Sequence, residues 1–178
     1  MITKSKGMTL IEVLVALFIL VTGVLGAIAL QTNAKQGSFD AMQRSLASAL
    51  AQDIIERMRN NNADGLILEG YEGVYGAASL TKPSPSCQTQ ATSCTPAELR
   101  TYDLYEWTEM IRGAEAVESN KNVGGLINAV GCIVHNNQQV TVTIVWDGKT
   151  KTSDAGGSCG GSTVNSSRRQ IQLTTYLF

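Results

Sequence analysis

Residues 13–30 contain no charged side chain, and this run constrains the fold more than any other feature of the sequence. Thr22, Gly23 and Gly26 alone interrupt its large or aliphatic residues. Eighteen residues (13–30) is about the length that a helix needs to cross the hydrocarbon core of a bilayer. An ordinary secretory signal ends in a cleavage site of small residues, but here a helical pattern continues from Ala34 to Met58. The sequence therefore predicts a membrane helix that is kept in the mature chain.

Glu12 stands immediately before this apolar run. A charged side chain within hydrocarbon costs on the order of 2.5–3.5 kcal/mol, and less near the interface. Either Glu12 lies at the level of the lipid headgroups, or a positive group from outside this helix neutralises it. The residues alone leave both explanations open.

The charge balance gives no support for a polyanion-binding protein. The chain has 178 residues, 43% of them hydrophobic, so one globular domain with a packed core is expected. The formal net charge is −1; without Lys4 and Lys6 it becomes −3, from 14 − 2 = 12 basic and 15 acidic residues. Two arginine pairs, Arg57 with Arg59 and Arg168 with Arg169, are interpreted as solvated surface charge. A nucleic-acid partner is not indicated.

Beyond the apolar run, a second apolar stripe recurs at steps of three or four residues, which is the spacing of an amphipathic helix. The stripe consists of Phe39, Met42, Leu46, Ala49, Leu50, Ile54 and Met58. The opposite face carries Asp40, Arg44, Asp53, Glu56 and Arg57. Three asparagines at 60–62 supply turn chemistry, so a single helix is predicted from Thr9 to Asn60. We expect its stripe to pack under the chain's own sheet rather than against a partner.

A second helix is predicted after a turn-rich excursion from Leu66 to Thr95, in which a small strand or short helix is expected near Ala77–Leu80. Thr95, Pro96 and Glu98 form a capping box with proline at the first helical position. The helix should run to about Arg112. Its apolar face is predicted to contain Leu99, Tyr102, Trp107, Met110 and Ile111, and its solvated face Asp103, Glu106 and Glu109.

Three strands are predicted nearer the C-terminus, where the apolar period changes to two. Residues 131–135 pair with 140–146 through a turn at Asn136–Gln138, and residues 169–177 give the third strand. Residues 152–167 are dominated by Gly and Ser and are expected to form a mobile loop. The predicted class is α+β, a long N-terminal helix packed on a small antiparallel sheet with a second short helix.

The segment from Lys4 to Leu17, KSKGMTLIEVLVAL, closely resembles the class III signal of type IV prepilins. The resemblance implies the pilin fold, cleavage between Gly7 and Met8 by prepilin peptidase, and methylation of the new amino group of Met8. It also implies that Glu12 neutralises the mature N-terminal amine of a neighbouring subunit. The leader lysines would stay cytoplasmic, so the head would face the periplasm.

The chain departs from the usual major-subunit pattern in two ways: Met8 stands where Phe is commonest, and no proline occurs from Met8 to Thr81. Residues 94–107 and 140–147 resemble minor pilins of the PilV kind. That resemblance implies a priming complex with other minor pilins, in the inner membrane first and then at the tip of a pilus built from the major pilin. A tip adhesin is a further partner to consider.

The four cysteines, Cys87, Cys94, Cys132 and Cys159, allow three pairings, and an oxidising periplasm favours disulfides over free thiols. We prefer Cys87–Cys94 and Cys132–Cys159, although the diagonal pairings stay open. The spacing lacks the close cysteine pairs of structural zinc sites, so no metal is expected.

Enzymatic chemistry finds no support in the sequence. His135 is the single histidine and lies near a predicted turn, where it cannot build a catalytic triad with evident partners. No phosphate-binding loop, nucleophile elbow or metalloprotease helix is present, so neither catalysis nor a cofactor is expected.

The predicted organisation is a leader at 1–7, a membrane and filament-core segment at 8–33, and a head at 34–178. Two other functions stay open at this point. One is a type II secretion pseudopilin, whose signal is equivalent. The other is a signal-anchored periplasmic binding module or enzyme that never polymerises.

Overall fold

The computed structural model describes residues 7–61, 68–88, 93–114, 116–151, 159–161 and 167–177. Its elements are helix α1 (Leu10–Asn61), strand β1 (Gly73–Tyr75), helix α2 (Pro96–Arg112) and strands β2 (Val117–Glu118), β3 (Lys121–Asn122), β4 (Val130–Asn136), β5 (Gln139–Asp147) and β6 (Arg168–Tyr176). Short 3-10 turns lie at Leu68–Tyr71 and Cys159–Gly161. The chain divides between Phe39 and Asp40 into two compact units.

The α+β fold class is confirmed, and α1 lies within one residue of its predicted bounds at each end. In the second unit, which we call the head, α1 buries one face whose members are Gln43, Ala47, Leu50, Ala51, Ile54, Ile55, Met58 and Asn61. Its apolar members pack with α2 and the inner face of the sheet in a single hydrophobic core. Burial of this face fixes the helix against the rest of the head.

The predicted stripe on α1 is correct near its end and wrong near its start. Leu50, Ile54 and Met58 are buried, but Met42 is 60% exposed, Leu46 is 36% exposed, and Ala49 is also exposed. A helix turns by about 100° per residue, so each four-residue step drifts about 40°. Successive four-residue steps back from Met58 therefore leave the core face, which Ala47 and Gln43 occupy instead.

The capping box predicted at the start of α2 is confirmed. The Glu98 backbone amide donates to Thr95 Oγ1 at 3.3 Å, and the Thr95 amide donates to Glu98 Oε2 at 2.8 Å. The helix ends at Gly113, whose φ of +65° is the left-handed conformation that favours glycine. Trp107 is fully buried and donates its ring N–H to the Leu50 carbonyl at 2.8 Å, which ties α2 to α1.

Four strands form one antiparallel sheet in the order β1-β4-β5-β6. The three predicted strands are present, and Asn137, with a φ of +54°, lies in the predicted turn between β4 and β5. The side chains of β5 that face the helices are at most 1% exposed; they are Val140, Val142, Ile144 and Trp146. The alternating pattern of that strand thus identified its buried face.

Other local predictions were wrong or lie outside the described residues. Residues 77–80 contain neither strand nor helix; the strand is β1, which pairs with residues 131–133 and ends before Gly76, where φ is +95°. The hairpin of β2 with β3 was not predicted. Most of the predicted Gly/Ser loop lies outside the described residues, except Cys159–Gly161 and Ser167.

Candidate functional site: the exposed N-terminal helix

The backbone around the predicted processing point is irregular and exposed. Gly7, Met8 and Thr9 precede α1, and the side chain of Met8 is 69% exposed. The helix begins at Leu10, and the Thr9 carbonyl accepts from the amides of Glu12 at 3.1 Å and Val13 at 3.3 Å. Glu12 is exposed in the first helical turn, where the positive end of the helix dipole favours a carboxylate. Residues 1–6 of the predicted leader lie outside the described residues.

Helix α1 contains a strongly apolar window of membrane-spanning length, none of it buried within the chain. Its large apolar side chains are exposed, Leu10 by 81% and Leu30 by 72%. Added β-carbons at Gly23 and Gly26 would meet no atom within 4 Å. So large an apolar surface requires cover from lipid or from other protein chains.

The hydroxyls in and just beyond this apolar run are satisfied by the helix itself. Thr22 Oγ1 donates to the carbonyls of Phe18 and Ile19, each at 3.0 Å, and Thr32 Oγ1 donates to the Ile28 carbonyl at 3.0 Å. Such bonds remove the penalty of an unpaired donor in a medium without water.

Both cysteine pairs preferred from the sequence are disulfides in the structure. Cys87 is joined to Cys94, and Cys132 on β4 is joined to Cys159. The first bond closes a short loop ahead of α2, and the second attaches residues 159–161 to the sheet. Each removes conformational freedom from the unfolded chain.

Arg57 does not behave as the solvated charge that the sequence predicted. Its guanidinium donates to Asp53 at 2.8 Å, to Asp103 at 3.1 Å and to Glu106 at 2.8 Å. Although burial acts to lower the pKa of Arg57, the three carboxylates raise it well above its usual value. Arg57 therefore joins α1 to the face of α2 that was predicted to be solvated.

The three partners of Arg57 differ in their surroundings. Burial raises the pKa of Asp103, and hydrogen bonds from Arg57 and Tyr71 offset only part of that rise. Burial also acts to raise the pKa of Glu106, but hydrogen bonds from Gln88 and Arg57 outweigh it, and the pKa lies below its usual value. The Asp103 side chain is 7% exposed and that of Glu106 is 25%, which accounts for the opposite directions.

A buried polar chain continues from Asp103 to the end of α1. The Tyr71 hydroxyl donates to Asp103 Oδ2 at 3.0 Å, and Asn61 Nδ2 donates to the Tyr71 oxygen and the Pro96 carbonyl, both at 2.9 Å. The end of α1, the 3-10 turn and the start of α2 are thereby fixed together.

The prediction that Arg168 and Arg169 are solvated is wrong. They are 5% and 8% exposed. Arg168 donates to the Asn128 carbonyl at 3.0 Å and lies 3.3 Å from Asp147, whereas Arg169 donates to both oxygens of Thr150 and lies 3.4 Å from Asp40. Asp40 and Arg169 are 129 positions apart, so the pattern around each residue gave no signal of the pair.

The other sequence candidates do not assemble into a reactive centre. His135 Nε2 lies 3.5 Å from the Glu72 carboxylate at the edge of the sheet. Among the described residues, no group of three His, Cys, Asp or Glu side chains is placed to hold a metal ion. Glu109 accepts from Ser79 at 2.7 Å, so it too has a structural partner.

The geometry defines a class: a protein with a small α+β head whose first helix begins as an exposed segment of membrane-spanning length. Comparison with known families refines this class. Residues 2–28 match the prokaryotic N-terminal methylation motif, and residues 29–105 match the family described as type IV pilin Tt1218. No curated protein and no solved structure matches the chain.

The two matches are adjacent and cover different parts of the chain. The methylation motif covers the start of α1 and implies processing by prepilin peptidase in the context of pilus assembly. The pilin match covers the rest of α1, the excursion and the first part of α2. Together with the fold they support a type IV pilin, and the exposed apolar helix fits anchoring in a membrane.

Proposed function

We propose that this chain is a minor pilin of the PilV kind, which joins other minor pilins in the complex that starts assembly of a type IV pilus. The observation that carries the proposal is the methylation motif followed at once by the pilin match, on a helix whose apolar half is exposed. The absence of proline from Met8 to Thr81 and the residues that resemble this kind of pilin favour the minor position.

Processing would take place between Gly7 and Met8, followed by methylation of the Met8 amine. The irregular, exposed backbone at 7–9 supports this proposal, because a peptidase needs an extended and accessible chain. The head would face the periplasm, where the two disulfides are stable, and would later lie near the pilus tip.

In this proposal Glu12 pairs with the N-terminal amine of a neighbouring subunit. An unpaired carboxylate is costly in apolar surroundings, and a charge pair of low exposure is the physical remedy. The role of the chain is then assembly by helix packing and head contacts, without catalysis.

Deletion of the gene tests the function, with surface pili, twitching motility and type II secretion measured together. We expect a loss of surface pili with secretion intact. Loss of secretion with normal pili would identify a pseudopilin instead. Mass spectrometry of the mature chain should find methylated Met8 at its N-terminus; an unmethylated chain that still begins at Met1 would contradict the proposal and favour a signal-anchored protein.

Glu12→Gln tests the charge pair, with Glu12→Asp as the matched control. We expect the glutamine variant to be processed and inserted normally but to enter pili at least about tenfold less, since one charge pair is worth more than about 1.4 kcal/mol in such surroundings. Incorporation is measured by immunoblotting of sheared pili against membrane fractions. Equal incorporation of the glutamine variant and the wild type would refute the role.

A further inference from the structure

Asp40, Thr150 and Arg169 form a polar network in the head that leaves one donor and one acceptor unused. Thr150 Oγ1 donates to Asp40 Oδ2 at 2.7 Å. Arg169 Nη2 donates to the two oxygens of Thr150, at 2.7 and 2.9 Å, and lies 3.4 Å from Asp40 Oδ2. Within the described part of the chain, Asp40 Oδ1 and Arg169 Nη1 are buried and have no hydrogen-bond partner. Such atoms are rare in native proteins, because each has lost its bonds to water without replacing them.

The two residues that carry these atoms line the same hollow, which has a volume of about 330 Å³. Its other lining residues are Ala41, Arg44 and Trp146. Arg169 is 8% exposed and Trp146 is almost fully buried, whereas Ala41 and Arg44 are exposed. A cavity of about 150 Å³ admits benzene, so this hollow has room for a small polar molecule.

The unused atoms indicate the chemistry of a ligand. The N–H groups of Arg169 Nη1 can only donate, and an ionised carboxylate oxygen such as Asp40 Oδ1 can only accept. A simple anion would pair with the arginine but would be repelled by the carboxylate, and a simple cation would meet the opposite problem. A group that carries an anionic oxygen and an ammonium a few bonds apart satisfies both atoms.

Two arginines favour phosphate over carboxylate at the anionic end of this group. A guanidinium pairs with phosphate through parallel N–H bonds, and a phosphate has enough oxygens to accept from Arg44 and Arg169 together. The lining side chains include two arginines and one aspartate, so positive charge exceeds negative by one. That balance suits a phosphate whose charge is only partly offset by the ammonium of the same molecule.

We propose that this hollow, called the zwitterion site, binds a phosphoethanolamine group. Its phosphate pairs with Arg44 and Arg169, and its ammonium donates to Asp40. Soluble phosphoethanolamine and the headgroup of phosphatidylethanolamine share this chemistry. All lining residues belong to one head, so the site does not depend on the proposed assembly function.

Isothermal titration calorimetry of the purified full chain in uncharged detergent micelles tests the site, with phosphoethanolamine as the probe. We expect saturable binding of one molecule per chain. Phosphocholine carries the same charges but no N–H donor, so it should bind at least about tenfold more weakly, because it leaves Asp40 Oδ1 unpaired. Failure of phosphoethanolamine to bind saturably, or equal binding of the two compounds, would overturn the proposal.

Ala41→Phe places a large side chain in the hollow without removing a polar group. Ala49→Phe is the matched control, since Ala49 is also an exposed alanine of α1 but does not line the hollow. We expect Ala41→Phe to weaken phosphoethanolamine binding at least about tenfold and Ala49→Phe to change it less than about twofold. Thermal unfolding should match wild type in both variants. Unchanged binding to Ala41→Phe would overturn the assignment.

A second pair of variants tests the charge at the exposed arginine. Arg44→Gln should weaken phosphoethanolamine binding at least about fivefold, because it removes one of the two cations that face the phosphate. Arg44→Lys keeps the positive charge and should lose less. Equal binding to Arg44→Gln and to the wild type would contradict the proposed role of Arg44 and with it the choice of phosphate.

Native mass spectrometry distinguishes the two sources of the group. In micelles that contain phosphatidylethanolamine, the full chain should retain one lipid, and it should retain less phosphatidylcholine at the same mole fraction; Ala41→Phe should lose this preference. Retention of soluble phosphoethanolamine without a preference between the lipids would identify a soluble ligand. Equal retention of the two lipids together with no retention of the soluble compound would overturn the zwitterion site.

Discussion

The two halves of α1 have the same secondary structure but opposite sources of stability. Ile19 is 64% exposed and Ile54 is fully buried, although they belong to one uninterrupted helix. The second half is held by the sheet and α2, whereas the first half has no apolar contact within the described part of the chain that covers it. Formation of the helix and burial of its apolar side chains are thus separate requirements. The apolar side chains of the first half must be covered by the surroundings of the chain.

The sharpest test of this difference compares Ile54→Ala with Ile19→Ala, the same chemical change at two positions of one helix. Ile54→Ala should destabilise the head by about 2–5 kcal/mol, because it opens a cavity in the core. Ile19→Ala should change the head's stability by no more than about 0.5 kcal/mol, because Ile19 contributes nothing to that core. Thermal unfolding of the full chain in detergent micelles, followed by the near-ultraviolet signal of the tryptophans, measures both. Equal effects would mean that the two halves are not independent.

A smaller loss of stability is expected from Arg57→Met, which removes a positive charge that is paired with carboxylates inside the head. The change leaves the Asp103 carboxylate buried without its cation and should cost about 1–3 kcal/mol at pH 7. Asp103 has a raised pKa in the folded state, so its charged form opposes folding above that pKa and the penalty is relieved as the pH falls through it. The deficit of Arg57→Met should therefore shrink between pH 7 and pH 5.

Arg59→Met is the matched control for that experiment, because Arg59 pairs on the surface with Glu56 and its side chain is 48% exposed. It should cost no more than about 0.5 kcal/mol and show no such dependence on pH. A deficit of Arg57→Met that grows on acidification would show that Asp103 is not the group left uncompensated.

The smallest difference in stability is expected between substitutions at the starts of the two helices. Helix α2 starts with the Thr95 capping box, and Thr95→Ala should cost about 0.5–2 kcal/mol. Thr9→Ala at the start of α1 should leave the head's unfolding unchanged, because the Thr9 contacts with Glu12 and Val13 are made by its backbone carbonyl. The same unfolding assay measures both variants, and a loss of head stability in Thr9→Ala would weaken the comparison.

Local sequence patterns predicted the elements but not their long-range partners. The capping box at Thr95 and the alternation in residues 140–146 could be predicted because the interacting residues are close in the sequence. The partners of Asp103 and Arg169 lie 46 and 129 positions away, and nothing near either residue marks them as paired. The buried face of α1 was misassigned near Met42 for a related reason: tertiary packing in the head decides that Gln43 and not Met42 is buried, and the spacing along the helix does not show it.

The candidate site shows the same division. Gly7, Met8 and Glu12 could be proposed from sequence because the signal is a local motif, and they stay predictions of processing and assembly. The disulfide pairs could be preferred but not fixed, since four cysteines are compatible with three pairings.

The hydroxyl bonds of Thr22 and Thr32 have a thermodynamic consequence for movement between environments. Because the helix satisfies these donors itself, the segment can pass from one apolar solvent to another without breaking and remaking hydrogen bonds. The enthalpy of such a transfer should be small, and the exchange should be readily reversible. Between Leu10 and Leu30 the single formal charge is Glu12. The partition coefficient of the whole segment therefore depends on how well each environment stabilises that one carboxylate.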